Sequence, residues 1–209
     1  MNPISLTVHG LSKEFNRVPV FTGISFSLSS PGSLAITGRN GAGKSTLSKI
    51  LAGLLSATRG SVSYAVNGTP AGVEQFKHQI GFVSPYLNLY DEFTALENLR
   101  ILSRIRTPGL LQEARIQELL TLVGLWNRRD DFVGAFSSGM KQRLKYAFAL
   151  LHHPSLLILD EPTSNLDAEG FDIVRHIASD HLKEHILIIA TNSSEEAAWC
   201  TQQIQVGTI

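Results

Sequence analysis

The chain has 209 residues, 43% of them hydrophobic and 17% charged, which is enough apolar material for one sizeable core and excludes disorder and collagen-like repeats. Eighteen Lys plus Arg balance 18 Asp plus Glu, so no overall basic field draws the chain onto nucleic acid, and a direct nucleic-acid partner is not expected. The lone cysteine, Cys200, excludes an internal disulfide and a multi-cysteine metal cage, and Met1 to Ser5 lack the charged and apolar regions of a signal peptide, so a reducing, cytoplasmic setting is expected.

Short β-branched runs alternate with helical patterns, the pattern of a sheet covered by helices. Ile4 to Val8, Ile24 to Leu28 and Ser33 to Thr37 read as strands. A helix is predicted from Lys44 to about Leu54, then a strand over Ser61 to Val66 closed by the turn pair Asn67-Gly68. This first third leans antiparallel. Gly81 to Ser84 is a further strand. Thr94 to Leu122 turns helical, with Ile116, Leu119, Leu120 and Val123 on one face, and a second helical face runs from Met140 through Leu144, Ala147 and Phe148 to Leu151, ending near His153 before Pro154. Leu156 to Leu159 and Ile186 to Ala190 are continuously apolar, as strands covered on both faces are, and are far short of the roughly 20 residues that cross a bilayer. Asp167 to Leu182 forms the helix between them. No repeat or linker interrupts the chain, so residues 1–209 are expected to form one domain with a helical insertion at about 87–155.

Gly38-Arg39-Asn40-Gly41-Ala42-Gly43-Lys44-Ser45, followed by Thr46, matches the phosphate-binding P-loop and lies between a predicted strand and a predicted helix. In that context successive backbone N–H groups point at phosphate oxygens and the helix amino end adds partial positive charge. Lys44 would reach the β- and γ-phosphates and Ser45 would place its hydroxyl on Mg²⁺. A plain glycine-rich turn is the bland alternative, and a dinucleotide fingerprint fails because Thr46 stands where its third glycine belongs. Asp160 and Glu161 close a buried strand at the edge where open α/β sheets bind ligands. Mg²⁺ keeps most of its waters, so one carboxylate suffices to hold it, and Asp160 suits that role; Glu161 is then free to orient an attacking water.

With these motifs the chain resembles the ATP-binding cassette of an ABC transporter over essentially its full length. Phe136-Ser137-Ser138-Gly139-Met140 resembles the family signature Leu-Ser-Gly-Gly-Gln, with Phe, Ser and Met at its first, third and fifth positions. Asp160 to Asp167 resembles the Walker B aspartate, catalytic glutamate and D-loop run together. The resemblance implies an α/β fold, a P-loop NTPase of ABC type with a mostly parallel core sheet, an antiparallel β subdomain and a helical subdomain. It also implies that Phe15 stacks on adenine, and that two cassettes, a homodimer in the simplest case, pair head to tail. Ser137, Ser138 and Gly139 of one then close over the γ-phosphate held by the other. Capping of the following helix is the simpler role for Ser137, and the two are compatible.

ATP and Mg²⁺ are the implied cofactors, and membrane-embedded permease subunits the implied partners, holding the chain at the cytoplasmic face. The short length resembles minimal motor subunits such as small haem-export or multidrug-type cassettes. Two positions depart from the family: Pro85 stands where a glutamine usually touches Mg²⁺ and water, and Asn192 where a histidine usually contacts the γ-phosphate. With Lys44, Mg²⁺ and Glu161 retained, the expectation is a slow ATPase with Asn192 as a weakened third catalytic residue. A soluble non-transport clamp and a nucleotide-gated scaffold are the alternatives. His181 and His185, four residues apart, are expected to be surface histidines, and Trp126 and Trp199 to be packing residues.

Overall fold

The computed structural model describes residues 3–106 and 112–207, arranged as two sheets and a layer of helices. Strands β1 (Ile4–Phe15), β2 (Val18–Ser29), β4 (Arg59–Val66) and β5 (Thr69–Ala71) form an antiparallel sheet in the order β2-β1-β4-β5. Strands β3 (Gly32–Thr37), β6 (Ile80–Val83), β7 (Leu156–Asp160), β8 (Ile186–Thr191) and β9 (Gln202–Gln205) form a wholly parallel sheet in the order β6-β7-β8-β3-β9. Because all five run the same way, the chain leaves β3 after Thr37, β6 after Val83, β7 after Asp160 and β8 after Thr191 at one common edge.

The expected elements are present, with differences at their ends. Asn67 and Gly68 both have positive φ, 52° and 75°, as the tight β4–β5 hairpin requires. β1 and β2 each extend to 12 residues, joined by Asn16 and Arg17 at φ 50° and 66°. No glycine marks that turn, so the sequence pattern stops the strands short. Of the long stretch expected to be helical, the described residues form α3 (Ala95–Arg106) and α4 (Glu113–Leu122), and 107–111 lie outside the described residues; the P-loop helix α1 (Lys44–Leu51) and the short α2 (Val73–Phe76) precede them. Ile116, Leu119, Leu120 and Val123 are all fully buried, as their spacing predicts. Helix α5 (Ser138–Leu150) packs on α3, α4 and β6, and α6 (Ala168–His181) starts on Asp167, whose carboxylate accepts from the Gly170 N–H at 2.9 Å. A short α7 (Ser194–Ala197) follows β8.

Alternate residues of the two central strands feed two cores. Leu157, Leu159, Leu187 and Ile189 pack beneath α5 and α6, whereas Leu156, Ile158, Ile186 and Ile188 pack with α1 and the antiparallel sheet. Each such side chain removed from water stabilises by about 1.5–3 kcal/mol, so both faces of β7 and β8 fix the register that carries Asp160 to the edge.

His181 corrects an expectation. It is buried rather than on the surface; its ring nitrogen bonds the Ile186 carbonyl at 3.1 Å, and burial lowers its pKa to about 4. Trp126 and Trp199 pack against the helical core as expected, Trp199 edge-on to Phe171. Among the described residues no helix is long and apolar enough to cross a membrane.

Candidate nucleotide site

The loop between β3 and α1 is held open by its glycines. Gly38 at φ 150° runs so close to the chain that a Cβ would sit 2.5 Å from the Val206 carbonyl oxygen. Gly43, at φ 100°, would place a Cβ 2.5 Å from Val20. Any side chain at these two positions would shift the loop that turns into α1.

Lys44, almost fully buried, donates its ammonium to the carbonyls of Gly38 at 3.0 Å and Arg39 at 3.3 Å, inside the curve of the loop. It also faces the Glu161 carboxylate at 3.6 Å. The Ser45 hydroxyl donates to one oxygen of Asp160 at 2.9 Å and the Ser84 hydroxyl to the other at 3.4 Å. Asp160 is fully buried, and burial raises its pKa above the usual carboxylate range against the opposing pull of those hydroxyls. A buried carboxylate beside a serine hydroxyl is a set of hard oxygen donors, which fits Mg²⁺.

Glu161 adopts φ 49°, an uncommon conformation for a residue with a side chain, fixed by its N–H donating to the Ala190 carbonyl of β8 at 2.8 Å. Burial raises its pKa; Lys44 opposes this, while Glu196 and Asp160 add to it. Asn192, just beyond β8, donates its amide to the Asn40 side chain in the loop at 2.8 Å, so these two expected site residues touch directly. Asn40, Gly41, Gly43, Lys44, Ser45, Thr46, Glu161 and Asn192 line one open cavity of about 660 Å³, together with Val20, Lys49, Pro85, Tyr86 and Ser164. Gly38, Arg39 and Ala42 form the loop behind it.

Two groups of expected residues stand apart from this cavity. Phe15 lies at the end of β1, about half exposed, with the Lys13 ammonium 4.7 Å from its ring centre; its hairpin neighbour Val20 is the residue that reaches the cavity wall. Ser137, Ser138 and Gly139 sit at the amino end of α5. Ser137 caps that helix, accepting from the Met140 N–H at 3.2 Å, and a Cβ on Gly139 would meet the Asn165 carbonyl at 3.2 Å.

The structure adds residues that sequence reasoning missed. Glu196, 3% exposed, accepts from the Thr163 N–H at 3.2 Å and from the hydroxyls of Thr163 and Thr191. It thereby ties the turn after Glu161 to the end of β8 that carries Asn192. In the sequence nothing in Glu195-Glu196 marks one of the pair as buried. Ser84, next to Asp160 in space, is separated from it by 76 residues. The short C-terminal strand β9 escapes the pattern because three of its four residues are glutamine, yet Val206 after it donates its N–H to Thr37 at 2.8 Å and backs Gly38.

Residues 21–164 match the ABC transporter family. The Nod factor export ATP-binding protein I of Rhizobium meliloti (strain 1021) is 34% identical over 200 residues, covering 93% of this chain and 58% of that protein. The bacitracin transport ATP-binding protein BcrA of Bacillus licheniformis is 40% identical over 156 residues, covering 75% of this chain and 50% of that protein. This chain therefore spans between half and two thirds of the length of these relatives. Among solved structures, one described as the ATP-binding subunit of an ABC transporter has a TM-score of 0.84 at 30% identity, covering 97% of this chain and 85% of the other. A dimeric ATP-binding cassette in a post-hydrolysis state bound to ADP and Pi has a TM-score of 0.85 at 20% identity, covering 97% and 94%, a likeness of fold alone. With the parallel sheet, the phosphate loop and the matched residues in agreement, the chain belongs to the ABC transporter family.

Proposed function

We propose that this chain binds ATP with Mg²⁺ and hydrolyses it slowly as the motor subunit of an ABC transporter. The observation that carries the reading is the meeting of two strand ends: Ser45 against Asp160 and Lys44 against Glu161, all at the edge of one parallel sheet. Main-chain N–H groups of residues 38–46 and the Lys44 ammonium would hold the triphosphate, which displaces Lys44 from its loop carbonyls. Ser45 and Asp160 would hold the magnesium ion, whose charge offsets that of the phosphates. Glu161, held close to the γ-phosphate position by Lys44 and β8, would orient the attacking water and take up its proton.

Residues 1–209 act as one cassette in this reading, with about 87–155 as its helical part. A second cassette, a copy of this chain in the simplest case, would close the site with Ser137, Ser138 and Gly139, since the amino end of α5 attracts phosphate. Permease subunits would hold the pair at the cytoplasmic face of the membrane. Large apolar side chains exposed at Leu54, Tyr86, Tyr90 and Ile105, of which Leu54 and Ile105 line one cavity, support such a surface.

The Asn192 side chain is shorter than a histidine's and its amide is uncharged, and here it donates to Asn40. A histidine reaching the γ-phosphate would add a charge-assisted bond of about 1.5 kcal/mol, equal to about tenfold in rate. The parent chain is expected to release phosphate slowly at saturating ATP and Asn192→His about tenfold faster. A parent rate no greater than buffer alone would contradict the ATPase reading and leave a nucleotide-gated binder. An unchanged rate in Asn192→His would contradict the role given to that position.

A further inference from the structure

Ser84 and Pro85 lead from β6 to the cavity wall, and proline brings no N–H with which to anchor the backbone there. The anchor comes from another element. Lys145, only 9% exposed on α5, donates its ammonium to the Ser84 carbonyl at 3.3 Å and to the Pro85 carbonyl at 3.0 Å. Among the described residues it forms no ion pair, and burial lowers its pKa. Burying an ammonium against carbonyl dipoles alone is costly, so at a position that served packing only an apolar side chain would be more stable.

The contact lies in a continuous chain. The Ser84 hydroxyl, on the residue whose carbonyl Lys145 holds, donates to Asp160, and Asp160 accepts from Ser45 at the start of α1. The Ser84 carbonyl and hydroxyl also accept from the N–H groups of Leu87 at 3.1 Å and Tyr86 at 3.3 Å, so the whole turn is built on this residue. In the other direction, Lys145 stands about 10 Å along α5 from Ser138 at 1.5 Å per residue.

We propose that Lys145 is a positioning residue: it clasps the 84–86 turn to helix α5, so that the groups around Asp160 keep a fixed register with the helix end carrying Ser137 to Gly139. The inference rests on the ATPase reading above and deepens it. In a pair of cassettes that helix end serves the partner's nucleotide, so the clasp links each protomer's own magnesium side to the site it completes opposite.

The test combines two measurements on the full chain. Amide hydrogen exchange reads the clasp itself: Lys145→Met, unbranched and of similar volume but without donors, is expected to speed exchange at Tyr86 and Leu87 while the β-sheet amides keep their protection. Steady-state turnover reads its consequence. Lys145→Met is expected to lower kcat about tenfold, within the roughly 100-fold that a misplacement of 1 Å can cost, and to leave ATP affinity within twofold. Lys145→Arg, which keeps the cation and its donors, is expected to recover most of the rate. Combining Lys145→Met with Ser84→Ala should be no slower than the slower single variant, because both cut the same chain. Unchanged exchange in the turn, multiplicative effects in the double variant, or an arginine variant no faster than the methionine one would overturn the proposal. A parent without turnover would sink the hydrolytic reading alone, and the clasp would then stand or fall on the exchange result.

Discussion

Glu161→Gln is expected to release phosphate at least about 100-fold more slowly than the parent, while binding ATP as tightly. The substitution keeps the size and shape of the side chain and removes its capacity to take a proton, and positioned general-base catalysis is worth about 10² to 10⁴ in rate. Binding should survive because the amides of the loop, Lys44 and the Ser45–Asp160 pair are untouched. Burial and the neighbouring carboxylates of Glu196 and Asp160 raise the Glu161 pKa, with Lys44 opposing. The base is active only when ionised, so kcat/KM, which reports the free enzyme, should fall with decreasing pH at a higher pH than an unperturbed glutamate would give. Phosphate release at saturating ATP measures the first effect, and kcat/KM across the acid range the second. A glutamine variant as fast as the parent would remove Glu161 from the chemistry.

Asp160→Asn separates function from stability. Asp160 is fully buried, and its raised pKa means that the folded chain binds the proton more tightly than the unfolded chain does. Stability from this group is therefore present at low pH and declines as pH rises from the unfolded value near 4 through the raised folded value. At neutral pH the ionised carboxylate costs stability, so asparagine should leave the melting temperature unchanged or higher. Turnover should nevertheless collapse, since the anionic anchor for the metal is gone; even outer-shell partners of a metal are worth about 10- to 100-fold in affinity or activity. Thermal denaturation without nucleotide, set beside a magnesium titration of turnover, reads the two effects. A variant that melts earlier and still turns over at the parent's magnesium requirement would contradict the assignment.

What the sequence discloses depends on whether a residue's task leaves a local mark. The loop at residues 38–45 does, because glycines forced to φ values such as 100° and 150° cannot be replaced, and their spacing survives in the chain. Buried strands do as well: Leu156 to Leu159 and Ile186 to Ala190 read as continuous apolar runs because β7 and β8 feed a core on each face. Strand β9 leaves no such mark. It sits at the edge of the sheet, held by backbone bonds to β3 that are indifferent to its glutamines. The turn of Asn16 and Arg17 likewise uses positive φ without glycine.

The site divides the same way. Asp160 and Glu161 follow their strand directly, so their position is legible, whereas Ser84, Lys145 and Glu196 come from separate segments and gain their tasks only when β6, α5 and α7 are brought together. Burial is the property that pattern reading misjudged for His181. An ionisable residue near a helix end looks solvated until its partner, here the carbonyl of Ile186, is placed.

The central claim is that the loop at residues 38–46 grips a triphosphate. Calorimetric titration of the full chain with ATP and Mg²⁺, run beside Lys44→Ala, tests it most directly. The account predicts one saturable site per chain for the parent, with affinity lowered about 100-fold in the alanine variant, since a charge-assisted contact to phosphate is worth up to about 3 kcal/mol. A parent that takes up no ATP, or an alanine variant that binds as tightly, would contradict it.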